Sequence, residues 1–113
     1  MKTDIIFEKI TKNSKIHFIG VGGISMISLA EILIDKGFSV SGSDSNYSED
    51  IKKLEKKGLA FLGANSAENI SDADVIVYTA AVKPGNPEYD AAVLFGKPML
   101  VRAEVLGYFG RRK

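Results

Sequence analysis

Gly20-Val21-Gly22-Gly23-Ile24-Ser25-Met26 stands between an apolar run, residues 15–20 (KIHFIG), and a helix-like stretch, residues 23–36 (GISMISLAEILIDK). The run before it is short, apolar and glycine-terminated, the pattern of a strand buried on both faces. The stretch after it continues to Gly37, a residue suited to the left-handed geometry that stops a helix. A glycine turn in this context has a physical use. Gly20 permits a tight exit from the strand, and Gly22 lets the backbone approach a pyrophosphate with no Cβ in the way. The helix then presents free N–H groups and the positive end of its dipole, both of which favour an anion. Ser25 stands where the dinucleotide fingerprint prefers Gly or Ala. It is small enough for close helix–strand approach, and its hydroxyl offers one more donor.

Strand and helix go on alternating outward from this turn. Residues 38–42 (FSVSG) read as a second strand, residues 48–57 as a charged helix stopped by Gly58, and residues 60–63 (AFLG) as a third strand. Residues 74–79 (DVIVYT) are β-branched and almost free of charge, the clearest strand of the chain. Pro87 suits the first turn of a helix that runs to Phe95 and ends at Gly96. Met99–Val101 reads as a last strand leading into a helix from Ala103, and residues 4–12 (DIIFEKITK) as a short lead-in helix. Five alternations predict an α/β chain of one domain, residues 1–113, with a Rossmann-like three-layer fold and a five-stranded parallel sheet. Right-handed crossovers put the expected site outside the carboxyl ends of the strands.

The composition narrows the chemistry. A chain of 113 residues suffices for one core, and 45% hydrophobic with 26% charged residues is the balance of a soluble globular protein. Fifteen basic and fourteen acidic residues nearly cancel, which argues against nucleic acid or an anionic membrane as partner. No apolar stretch is long enough to span a bilayer, and Met1-Lys2-Thr3-Asp4 lacks the layout of a secretion signal. The expectation is a cytoplasmic protein. The absence of cysteine excludes disulfides, a thiol nucleophile and Cys-ligated zinc, and a single histidine argues against a His-rich metal site or a Ser-His-Asp triad. That residue, His17, sits mid-strand among Ile16, Phe18 and Ile19, where a hydrogen-bonded core histidine outweighs a catalytic base. Two matches to glycosylation sequons, at Asn46 and Asn69, read as chance in a cytoplasmic chain.

A second candidate follows the second strand. Asp44 occupies the position where the Rossmann pattern places a ribose-binding carboxylate, and it equally suits a turn residue in Gly42-Ser43-Asp44-Ser45-Asn46. Gly37 and Gly42 have P-loop spacing, but Ser43-Asp44 follows where Lys-Ser/Thr is required, so ATP has no cradle.

These residues resemble the amino-terminal domain of the Mur ligases, most nearly the branch that joins L-alanine to UDP-N-acetylmuramic acid. The likeness runs from Lys15 to about Leu106. It rests on residues 16–26 (IHFIGVGGISM), residues 40–44 (VSGSD), Ala73-Asp74-Val75-Ile76-Val77, Asn86-Pro87-Glu88 and Arg102-Ala103-Glu104. The resemblance implies a first domain that binds UDP-N-acetylmuramic acid, a central domain with the P-loop for ATP and magnesium, and a third for the amino acid. It implies that the sugar's lactyl carboxylate is activated as an acyl phosphate, which the amine of L-alanine attacks with loss of phosphate. On this reading the chain stops near where the ATP domain would begin. It is then a substrate-binding domain without its ATP-binding and amino-acid-binding neighbours, and inactive in isolation.

Carried over by position, the resemblance assigns Gly20, Val21, Gly22, Gly23, Ile24 and Ser25 to the UDP diphosphate, and Ser43 with Asp44 to the nucleotide end. Thr79, Ala80 and Ala81 match the small-residue loop lining the same cleft. Asn86 and Arg102 complete the set, although Asn86 is equally suited to a helix N-cap and Arg102 to a surface ion pair with Glu104 or another acid. The family's Gly-His after the third strand is here Gly63-Ala64-Asn65. Any uracil contact made by that histidine is lost or passes to Asn65. No cofactor is expected in this chain. The alternative function is an NAD(H)-binding regulatory or redox module, since the glycine turn and Asp44 also fit the dinucleotide fingerprint.

Overall fold

The computed structural model describes residues 14–111, with side chains through Tyr108. The lead-in helix expected at residues 4–12 lies outside the described residues. The first strand, β1 (Lys15–Ile19), is followed by helix α1 (Ile24–Asp35), β2 (Ser39–Ser43), α2 (Glu49–Lys57) and the two-residue β3 (Ala60–Phe61). A 3-10 helix, Ala67–Ile70, then leads to β4 (Val75–Tyr78), α3 (Pro87–Leu94), β5 (Met99–Val101) and α4 (Arg102–Arg111). All strands pair in parallel in the order β3-β2-β1-β4-β5. The expected Rossmann-like sheet is what forms.

Local chemistry accounts for the boundaries. Gly37, Gly58 and Gly96 have φ of 97°, 125° and 66°, so the three helices before them stop where a side chain would be strained. Ser48 caps α2 by accepting from the Ile51 amide, and Asn86 caps α3 by accepting from the Glu88 and Tyr89 amides. The 3-10 helix was not expected from the sequence. β3 has two residues where four were expected, although Leu62 and Gly63 still bond to the backbone of β2 and the residue after it, Leu62 donating to Gly42 and Gly63 accepting from Asp44.

The core is divided by the sheet. Ile16 and Phe18 of β1 join Val40, Val75, Val77 and Leu100 beneath α1, α2 and α4. On the other face Ile19 and Ile76 pack with Ile70, Ala91 and Ala92 of the 3-10 helix and α3. Burial of β1 on both faces makes it the centre of the sheet. With β2 on one side and β4 on the other, its carboxyl end is the point where the winding reverses, where α/β sheets open a crevice.

Candidate functional site

The glycine turn leaves β1 over the end of β2. Gly20 has φ of 77°, and the amides of Gly20 and Val21 both donate to the Ser43 carbonyl at 2.9 Å. Val21 is fully buried over Gly42, where a Cβ would stand 2.6 Å from the Val21 Cβ. Gly23 donates to the Gly20 carbonyl at 3.2 Å, and Gly22 donates to Asp44 Oδ2 at 2.9 Å. A Cβ on Gly22 would stand 2.8 Å from that same oxygen. The bareness of position 22 therefore accommodates the Asp44 carboxylate, whereas the sequence reading kept that space for a pyrophosphate.

The donors open to an anion lie one step further along. Gly23 occupies the N-cap of α1 with extended backbone and no capping side chain, and the first turn holds no acidic residue. Among the described residues the amides of Ile24, Ser25 and Met26 have no acceptor, the first bond of the helix running from Ile27 to Gly23. Ile24 is 92% exposed and Ser25 is exposed, so their amides open at the surface, whereas Met26 is buried. Of the six positions assigned to the diphosphate, the structure engages the amides of Gly20, Val21, Gly22 and Gly23 internally and leaves those of Ile24 and Ser25 open.

Asp44 takes the turn role considered for it and also braces the glycine turn. Oδ2 holds Gly22, and Oδ1 accepts from the Asn46 amide at 3.0 Å, an Asx turn. Ser43 is corrected. It was expected near the nucleotide end, but its side chain is fully buried, its hydroxyl donating to Glu88 Oε1 at 2.7 Å and lying 3.1 Å from Asn65 Oδ1. Val21 is corrected likewise, as a core residue with a bonded amide. Asn86 is a helix cap, as its second reading had it. Among the described residues Arg102 makes no ion pair with Glu104, whose Oε1 instead accepts from the Val101 amide at 3.0 Å. Thr79, Ala80 and Ala81 form a turn closed by Val82 N–H to Thr79 O at 3.0 Å, and the β1–β4 register sets this turn beside the glycine turn.

Beneath the turn lies a buried polar cluster that sequence reasoning missed. His17 is buried and hydrogen-bonded, the core histidine expected, with Nδ1 2.8 Å from Ser41 Oγ and Nε2 2.7 Å from Glu88 Oε1. The second Glu88 oxygen accepts from the Ser66 amide at 3.1 Å and Asn69 Nδ2 at 2.7 Å. Burial pushes the Glu88 pKa up, but hydrogen bonds from His17, Ser43 and Asn69, with the charge of His17, outweigh it and hold the carboxyl below its ordinary value. A charged residue on an otherwise apolar helix face, after a Pro at N1, was the one available signal for Glu88.

A cleft of about 420 Å³ lies away from the glycine turn. Lys15, Ser39, Ala60 and Ala73 line it, so it opens at the amino ends of the strands, where the 3-10 helix leaves β2 and β3 partly uncovered. Gly37 and Gly42 do not form a P-loop. Gly37 is a helix stop, Gly42 lies inside β2, and no group of three potential metal ligands occurs among the described residues. Among the described residues no helix is long and apolar enough to cross a membrane.

Comparison with known proteins agrees with this fold. Residues 15–113 match the family model described as the Mur ligase family, catalytic domain. The UDP-N-acetylmuramate–L-alanine ligase of Acetivibrio thermocellus is 56% identical over 96 residues, 85% of this chain and 20% of that protein. The crystal structure of the UDP-N-acetylmuramate–alanine ligase of Thermotoga maritima superposes with a TM-score of 0.81 at 34% identity, covering 87% of this chain and 23% of that one. The Neisseria meningitides ligase for UDP-N-acetylmuramate and L-alanyl-γ-D-glutamyl-meso-diaminopimelate has a TM-score of 0.76 at 32% identity, over 83% and 30%. The chain thus spans about one fifth of the length of the curated relatives it matches. On the match over nearly its whole length, this chain belongs to the Mur ligase family.

Proposed function

We propose that this domain binds UDP-N-acetylmuramic acid as the substrate domain of an ATP-dependent UDP-N-acetylmuramate–L-alanine ligase in peptidoglycan precursor synthesis. The observation that carries the reading is the uncapped start of α1. Two exposed N–H groups at a helix start with no acidic residue in its first turn sit where the sheet's winding reverses. The diphosphate is assigned to the amides of Ile24 and Ser25. Asp44, whose carboxylate repels phosphate and accepts from hydroxyls, is assigned to the ribose.

The strand order supports the layout. Four steps of about 4.8 Å separate β3 from β5, so the five carboxyl ends form a row about 19 Å long. Asn65 and Asp44 stand toward the nucleoside end of that row, the glycine turn at its middle, and Thr79, Ala80, Ala81 and Arg102 toward the sugar. The names of the similar ligases share UDP-N-acetylmuramate and differ in the amine-bearing partner, which fits a conserved grip on the UDP-sugar.

In the full reaction ATP transfers its γ-phosphoryl group to the lactyl carboxylate, and L-alanine then displaces phosphate from the acyl carbon. This domain anchors the nucleotide so that the carboxylate is presented to the other domains. Titrating the chain with UDP-N-acetylmuramic acid, UDP and NADH, followed by amide chemical shifts, tests the reading. Shifts at Ile24 and Ser25 are expected with both uridine ligands. Shifts there with NADH alone favour the redox or regulatory module, for which Asp44 also argues, and silence with all three ligands defeats both.

A further inference from the structure

The buried carboxylate of Glu88 touches no part of the proposed ligand site, yet it reaches four segments that frame that site. Its oxygens accept from His17 on β1, Ser43 on β2, the Ser66 amide before the 3-10 helix and Asn69 within it. Ser43 passes this anchorage on. Its hydroxyl donates to Glu88, while its carbonyl takes the amides of both Gly20 and Val21. The next residue, Asp44, holds Gly22. The glycine turn thus hangs on the end of β2, and the end of β2 is pinned from below by a residue of α3.

We infer that Glu88 is a positioning residue for nucleotide binding, acting through Ser43 to hold the glycine turn and, through Ser66 and Asn69, the loop after β3. The inference rests on the proposed site, which it deepens. A carboxylate suits the task because it presents four acceptor positions and no donor, and four donors converge on it. The cluster is saturated, so its members have no alternative geometry in which all remain bonded. That property turns a set of ordinary hydrogen bonds into a fixed reference for the turn above.

Two readouts on the full chain test this. Amide hydrogen exchange reports the turn directly, whether or not ligand binds, and UDP affinity reports its consequence. In Ser43→Ala the carbonyl stays but the link to Glu88 is lost. Exchange at Gly20 and Val21 is expected to quicken about tenfold, with UDP affinity weakened by a similar factor. Exchange at Phe38 and Leu59, bonded to Leu33 and Leu54 at the far ends of α1 and α2, stays unchanged.

Glu88→Gln keeps the shape. Its oxygen accepts from Ser66 and Asn69, and its amide donates to Ser43 and to His17 in the tautomer that accepts at Nε2. Both readouts are expected within threefold of wild type. Glu88→Met, with no polar end, is expected to match or exceed the Ser43→Ala loss. Unchanged protection at Gly20 and Val21 in Ser43→Ala overturns the inference, and so does an equal rise in exchange at all four amides. A wild-type chain that ignores UDP defeats the proposed function alone, since the exchange measurement still decides the role of Glu88.

Discussion

The carboxylate of Asp44 rests against the bare face of Gly22, taking its amide at 2.9 Å where a Cβ would stand 2.8 Å from the same oxygen. Backbone strain plays no part, since Gly22 is not among the positive-φ glycines. Space alone requires glycine here, and the space belongs to Asp44.

Gly22→Ala is therefore expected to expel Asp44 and destabilise the domain by about 1–3 kcal/mol, the usual cost of overpacking. In an Asp44→Ala background the added methyl meets less, and the same change is expected to cost under half as much. Urea unfolding of the four proteins measures the coupling. Equal costs in both backgrounds show that another contact decides position 22.

Gly42 is constrained by Val21 in the same sense. A Cβ there would lie 2.6, 2.7 and 2.9 Å from Val21 Cβ, Cγ1 and Cγ2. Gly42→Ala is expected to lose about 3 kcal/mol or more, because Val21 is walled in and its Cβ cannot turn away. Combining it with Val21→Ala removes the two Cγ contacts and is expected to recover at least 1 kcal/mol. Thermal unfolding of the pair would show no recovery if the turn itself had moved.

Much of this fold is legible in the sequence because its punctuation is physical. Gly37, Gly58 and Gly96 adopt the left-handed geometry that the helix stops demanded, and Met99–Val101 falls where its apolar pattern put it. The glycine turn is legible as a strand–turn–helix joint. Which of its amides remain open is not, because that depends on Ser43 and Asp44 arriving from a strand more than twenty residues away. The Glu88 cluster is hidden for the same reason. Its donors come from four segments, and Glu88 seen alone is a helix-surface residue. The 3-10 helix carries no periodic apolar signal in its four residues, so it could not be read either.

Acid should find the Glu88 cluster first. The folded carboxyl titrates below its ordinary value of 4.5, so its contribution to stability is complete above that value and is lost as pH falls through the lower, folded one. Stability measured by urea midpoint is expected to drop steeply below about pH 4.5 in the wild type. In Glu88→Gln, which cannot ionise, that part of the slope disappears. An identical acid limb in both proteins assigns the loss to other carboxylates.

The last prediction sets stability against binding at one position. Gly23 is the N-cap of α1, with φ −63° and ψ 146°, the geometry a capping side chain needs, and a Cβ there makes no contact shorter than 3.7 Å. An aspartate fits that frame. Its carboxylate would accept from the Ser25 or Met26 amide and face the positive end of the helix dipole. Gly23→Asp is expected to stabilise the domain by about 0.5–1 kcal/mol, since glycine is already a tolerable cap. The same carboxylate would stand beside the donors assigned to the diphosphate and repel its charge. UDP affinity is therefore expected to fall at least tenfold while the melting temperature rises, as calorimetry of binding and of unfolding would record. Gly23→Ser, which caps without charge, should raise stability less and weaken UDP less. If both variants gain stability and bind UDP as the wild type does, the phosphates lie elsewhere than on the first turn of α1.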